Sequence, residues 1–197
     1  PALLAVFVVT EPAVDGVSSW LEPEVLRGPV RRIMLDYCME RIMKPRIGIV
    51  TDMYDNSTNG AVISTRRFAA ALESEFDIRL LTTGKGGPNR TEVPAFQLPF
   101  VAETMRRMEF SFGRPVSSAV GNFLSSVDLV HTMFPFWLET AVLDEAIRRG
   151  LPTVATFHLQ PENMFYNVGI HSRIPIDGSY RWHIRKVYNR ADVVVCP

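Results

Sequence analysis

From residue 43 onward the chain alternates short apolar runs with amphipathic segments, and that alternation is the strongest constraint on its fold. Ile47–Val50, Ile78–Leu81, Leu129–His131, Thr153–Phe157 and Val193–Val195 have the length and apolar character of buried strands. Ala95–Leu98 reads as a further strand, the third in chain order. Between the strands, Gly60–Ser74 sets Val62, Thr65, Phe68, Ala69 and Leu72 on one helical face. Glu103–Phe110, Val116–Ser126, Leu138–Arg149 and Tyr180–Asn189 also read as helices, and Gly150 followed by Pro152 is a helix stop. Gly84–Asn89 is a turn cluster. Parallel neighbours need long crossovers, which helices supply. The pattern therefore predicts an α/β fold, a Rossmann-like parallel sheet with helices on both faces.

Composition narrows the function classes. Of 197 residues, 47% are apolar and 21% charged, with 21 basic and 21 acidic side chains. A disordered chain would be less apolar. Nucleic-acid binding is not expected, because that class carries a basic surplus. Cys38 and Cys196 are too few and too far apart to form a disulfide scaffold, which points to a reducing, cytoplasmic setting. The apolar run Pro1–Val9 is too short to span a bilayer and lacks a basic leader region. Pro29–Met43 has amphipathic helical spacing. Met43-Lys-Pro-Arg-Ile47 resembles the start of a cytosolic α/β enzyme. Residues 1–42 then read either as an upstream extension or as a genuine helix packed on a domain spanning 43–197.

In open parallel sheets, ligands bind beyond the carboxyl ends of the strands. The loop Thr51–Gly60 is polar, contains Asp52, Tyr54 and Asn59, and feeds a helix. Free N–H groups at such a helix start suit a phosphate, and Gly60 allows close approach; the other reading is an ordinary capped loop. The loops after the next two such strands begin with His131 and contain His158 and Glu162. A neutral histidine there can donate to a sugar hydroxyl or a phosphate, although a lone histidine is more often structural. Neither histidine has zinc-site spacing, so no metal is expected. His171 and His183 read as surface groups. Gly84-Lys-Gly-Gly87 lacks the P-loop spacing, and neither a dinucleotide fingerprint nor a nucleophile elbow occurs. Residues 100–114 mix Met105, Met108, Phe110 and Phe112 with Arg106, Arg107 and Arg114. That mixture fits a peripheral contact with an anionic membrane, or a core-facing helix with solvated arginines.

Taken together, five ordered motifs resemble the N-terminal half of a family 4 glycosyltransferase of the GT-B fold. They are Thr51-Asp52-Met53-Tyr54; Asn59-Gly60-Ala61; Asp128-Leu-Val-His131 with Phe134-Pro135; Gly150-Leu-Pro152 through His158 with Pro161-Glu162; and Tyr188-x-x-Ala191-Asp192 through Pro197. Asp55 stands where a proline is common, and Ala61 replaces the usual valine. Both mark a divergent subgroup.

The resemblance implies a retaining hexosyltransferase-type enzyme that moves a sugar from a nucleotide-sugar to a sugar or lipid acceptor. It requires no cofactor beyond the nucleotide-sugar substrate and generally no metal. This half would bind the acceptor, and a C-terminal half beyond Pro197 would hold most of the donor, leaving the fragment inactive alone. Gly60, with Asn59, would meet the donor phosphate. His158 would be the catalytic contact to the reacting sugar, and Asp52, Tyr54, His131 and Glu162 would line the acceptor cleft. The expected setting is the cytoplasm, including the inner face of the membrane. The alternative is a non-catalytic sugar- or lipid-binding module acting alone.

Overall fold

The computed structural model describes residues 44–56 and 58–196 with their side chains, together with the backbone of Val6–Val8. The segment 9–43, including Cys38, and Pro197 lie outside the described residues, and with them the reading of residues 1–42 as an extension or a packed helix and the reading of the chain end. In chain order the strands are β1 (Val6–Val8), β2 (Arg46–Thr51), β3 (Asp77–Thr82), β4 (Arg90–Glu92), β5 (Ala95–Phe96), β6 (Phe112–Gly113), β7 (Leu129–Thr132), β8 (Thr153–Thr156) and β9 (Val193–Cys196). The helices are α1 (Gly60–Leu72), α2 (Ala102–Arg107), α3 (Ser117–Leu124), α4 (Trp137–Arg149), α5 (Pro161–Asn167) and α6 (Arg173–His183), which runs on into a π-helical turn at Ile184–Tyr188. Seven strands form one sheet in the order β1-β9-β8-β7-β2-β3-β4. Every pairing within it is parallel. The expected Rossmann-like α/β architecture is present.

Alternation along the central strand assigns the two faces. Ile49 packs with Val62 and Ala69 of α1, and Met164 of α5 lies against the same cluster. Val50, the next residue, packs with Phe123 of α3 and with Leu138 and Val142 of α4. A side-chain period of two thus feeds two helical layers from one strand. Gly48 sits under α3, where an added Cβ would lie 2.7 Å from Phe123 Cζ, so the close approach of that ring requires glycine. Gly150 closes α4 at φ 70°, the left-handed position that ends many helices.

Two aspartates pin the starts of neighbouring strands. Asp128 accepts from the Arg46 backbone N–H at 2.9 Å and pairs with its guanidinium at 2.7 Å. Asp192 accepts from Thr153 N–H at 2.9 Å and from Thr153 Oγ1 at 2.8 Å. These motif residues hold the edge of the sheet opposite the carboxyl ends of its strands.

The structure corrects several elements. The strand beside β3 is Arg90–Glu92, not Ala95–Leu98. It is polar because it is an edge strand, so it has no apolar signature. Ala95–Phe96 instead forms a separate antiparallel pair with Phe112–Gly113. The helix read as Glu103–Phe110 ends at Arg107, before Glu109 adopts φ 49°. Pro161, read as a loop residue, opens α5 at a position where its missing N–H costs nothing. The last helix begins at Arg173, well before Tyr180. His183 is not a surface group. It is 4% exposed, and burial lowers its pKa to about 4.

Candidate functional site

The carboxyl ends of β2, β7 and β8 are adjacent in the sheet, so their three loops share one edge. The first loop is organised by Asn56, a residue that the sequence reading passed over. Its Oδ1 accepts from the Thr58 and Asn59 backbone N–H groups at 2.8 and 2.9 Å. Its Nδ2 donates to the carbonyls of Met108 and Glu109. Asn followed two and three residues later by such contacts is an Asx-turn, so the local signal was present. Asn59 is the N-cap of α1, and its Oδ1 accepts from Ala61 and Val62 N–H. Its carboxamide is thus engaged with its own helix. Gly60 is exposed at the helix start, and a Cβ there would meet nothing within 4 Å. Among the described residues its N–H has no partner, while Ile63 N–H is bonded to Asn59 O. Among the described residues this leaves one N–H without a partner at the positive end of a 13-residue helix.

Asp52 and Tyr54 do not occupy an open surface in the same way. Asp52 is completely buried. It accepts from Gly113 N–H at 2.5 Å and faces Glu139 in the first turn of α4, which is equally buried. Burial makes the pair unusual: it pushes Asp52 up to about 7, against the lowering contacts with Gly113 N–H and Glu139. Burial, followed by the nearby Asp52 carboxylate, raises Glu139 well above the usual carboxylate range. Asp52 is therefore a core group of this domain. Tyr54 is half-buried under the Arg90 guanidinium, 4.8 Å from the ring centre, and Arg90 pairs with Asp55 at 2.8 Å.

His131 is 3% exposed, packs edge-on against Phe68 of α1, and lies 2.6 Å from Thr156 Oγ1 through Nε2. Burial, with a smaller contribution from His158, lowers its pKa to about 3, so it is a neutral core histidine. His158 differs. It is half-buried at the end of β8, beside the Phe134 ring, and desolvation lowers its pKa. Among the described residues its ring makes no hydrogen bond, so both nitrogens remain available. The structure thus places one histidine in the core and the other at the sheet edge.

Glu162 lies one helical step beyond Pro161. Tyr180 O–H donates to its Oε2 at 2.6 Å, and Arg173 reaches Oε1 at 3.3 Å. The Tyr180 ring is also stacked on Phe157, with centroids 6.5 Å apart. Tyr180 therefore touches residues on both sides of His158 in the chain. The Tyr180 contact, with support from the nearby Arg173, lowers the Glu162 pKa. In Tyr180→Phe, the Glu162 carboxyl is expected to titrate at higher pH than in the wild type, read by carboxyl-detected NMR. An unchanged titration would show that Arg173 alone sets it.

Residues 99–114 contribute to the interior. Met105 and Phe112 are buried, and Phe110 and Phe112 join Phe96, Phe134, Phe136 and Trp137 in an aromatic cluster with centroid spacings of 4.7–5.6 Å. Phe100, 82% exposed, and Met108 remain outside. Among the described residues no group of three or more His, Cys, Asp or Glu side chains is placed to hold a metal ion. No helix there is long and apolar enough to cross a membrane.

A parallel sheet with helices packed on both faces defines a Rossmann-like α/β domain. The family model for Glycosyltransferase Family 4 matches residues 58–197, and the chain belongs to that family. No curated protein matches it. Among solved structures it is similar to the UDP-N-acetylglucosamine 3-dehydrogenase GnnA from Acidithiobacillus ferrooxidans, at 17% identity and a TM-score of 0.31, over 65% of this chain and 34% of that one. The chain thus spans about a third of that protein's length.

Proposed function

We propose that this chain supplies the acceptor-side half of a retaining glycosyltransferase that takes its sugar from a nucleotide-sugar and delivers it to a sugar or lipid acceptor. Membership of the glycosyltransferase family supports the class. The observation that carries the reading is that one sheet edge holds both the Gly60 N–H and the His158 ring, each without a hydrogen-bond partner among the described residues.

The chemistry follows from those two groups. A backbone N–H at a helix start attracts the donor's diphosphate and stabilises the charge that builds on it as the sugar departs. A neutral imidazole donates a hydrogen bond to a sugar hydroxyl without adding positive charge. Tyr180 and Phe157 hold the loop that carries it. In this scheme Asn59 acts by capping α1, which keeps the Gly60 amide aimed outward, and Glu162 is held by Tyr180 near the loop's far end.

Gly60→Ala tests the phosphate contact. The new methyl meets nothing in the free protein, so the variant is expected to fold with unchanged thermal stability. Its methyl would obstruct a ligand approaching the amide. Wild-type titration with a nucleoside diphosphate should move the Gly60 amide resonance, and the variant should bind at least about tenfold more weakly. Equal affinity, or no shift at Gly60, would refute the contact. Acceptor binding without sugar transfer by the whole protein would favour a binding module instead.

A further inference from the structure

Away from the sheet edge, α6 and its π turn carry a second feature that the proposed reaction does not use. The inner side is core: Ile176 is fully buried, and His183 and Val187 are 4% and 1% exposed. The outer side leaves Ile174 82%, Trp182 40% and Ile184 44% exposed. Among these stand Arg181, Arg185 and Lys186, all exposed and without an ion pair among the described residues. Residues 173–190 hold five cations and one acid, a surplus of four in a chain whose net charge is zero. Arg173 and Arg190 are engaged with Glu162 and Asp144, so the three unpaired cations belong to the Trp182 face itself.

We infer that this face seats the domain on an anionic phospholipid bilayer. An indole and branched aliphatic side chains fit the headgroup–acyl boundary, and flexible Lys and Arg stems keep their charge at the phosphate level. A protein partner is disfavoured because lysine, here Lys186, is normally depleted at protein interfaces. Single-stranded nucleic acid would need several stacking rings, and this face offers Trp182 alone. The rival basic segment is weaker. Among residues 100–114, Arg106 is paired with Glu103 at 2.7 Å, and Met105 and Phe112 are turned into the core.

Flotation with vesicles tests the assignment on the full chain. Wild type is expected to float with phosphatidylcholine–phosphatidylglycerol vesicles and not with pure phosphatidylcholine. The triple variant Arg181→Glu, Arg185→Glu, Lys186→Glu should partition on the order of 100-fold more weakly, each cation near a charged surface contributing separately. Trp182→Ser should weaken binding at unchanged charge, and Arg106→Glu with Arg107→Glu should leave it intact. Circular dichroism establishes folding. If the triple variant does not fold, Arg181→Gln with Arg185→Gln takes its place. Equal binding to neutral vesicles, retention by a folded α6 variant, loss on changing Arg106 and Arg107, or absence of vesicle binding by wild type would each overturn the inference.

Discussion

Glu139→Gln is expected to stabilise the domain at alkaline pH and to change little in acid. In the wild type Asp52 and Glu139 face each other with no exposed surface, and Asp52 Oδ2 and both Glu139 oxygens lack a hydrogen-bond donor. Burial raises both pKa values in the folded state, Asp52 from 3.8 to about 7 and Glu139 well above 4.5. The unfolded chain releases these protons near the ordinary values, so between those and the folded values the native state binds more protons. Stability must then fall as pH rises through that window. It is fully retained below it. Glutamine removes one of the two carboxyls that must either stay protonated or bury a charge, and offers a donor to Asp52. The gain at about pH 8 should be on the order of 3 kcal/mol, or roughly 6–12 °C in thermal midpoint. Asp52→Asn should act in the same direction while keeping the acceptor for Gly113 N–H. Midpoints measured across pH decide the matter: parallel curves for wild type and both variants would show that the pair does not titrate on unfolding.

This pair also shows where the sequence stopped being informative. Asp52 lies in a polar loop directly after a buried strand, so by position it reads as a site residue. Its burial depends on Gly113, 61 positions away, and on Glu139 of α4. No local pattern contains those contacts. The sheet, by contrast, was legible because a strand buried on both faces must be apolar: β2, β3, β7, β8 and β9 all announced themselves. The edge strand Arg90–Glu92 did not, since an edge needs charge rather than hydrophobicity. His131 and His158 stand at equivalent places in two motifs and looked alike. One points under Phe68 with the α1 layer, and the other ends at the sheet edge, a distinction set by side-chain direction rather than by residue type. Motif aspartates Asp128 and Asp192 likewise proved to be strand pins. The helix start at Gly60 was readable, because a capping asparagine and an absent side chain are both local properties.

If the proposed sugar transfer holds, His158→Ala in the whole protein is expected to lower its kcat/KM by on the order of 100-fold or more, the usual consequence of losing a donor aimed at the reacting group. The fold should survive, because the ring is half-buried and makes no hydrogen bond among the described residues. The effect should fall on kcat more than on KM if the bond strengthens as the glycosidic link breaks. Desolvation lowers the His158 pKa below its ordinary 6.5, so the neutral form persists to lower pH than that of a free imidazole. The wild-type rate should therefore show no His158 break at 6.5, and any acid limb belonging to it should lie lower. His158→Gln retains a donor without a titrating group. It should recover part of the rate and remove that acid limb, whereas His158→Ala should recover none. His131→Gln separates this role from a structural one. His131 is enclosed by Phe68 and Thr156, so its loss should reduce thermal stability before it reduces kcat. Full transfer activity in a folded His158→Ala enzyme would remove the histidine from the reaction and leave the Gly60 amide as the domain's contribution.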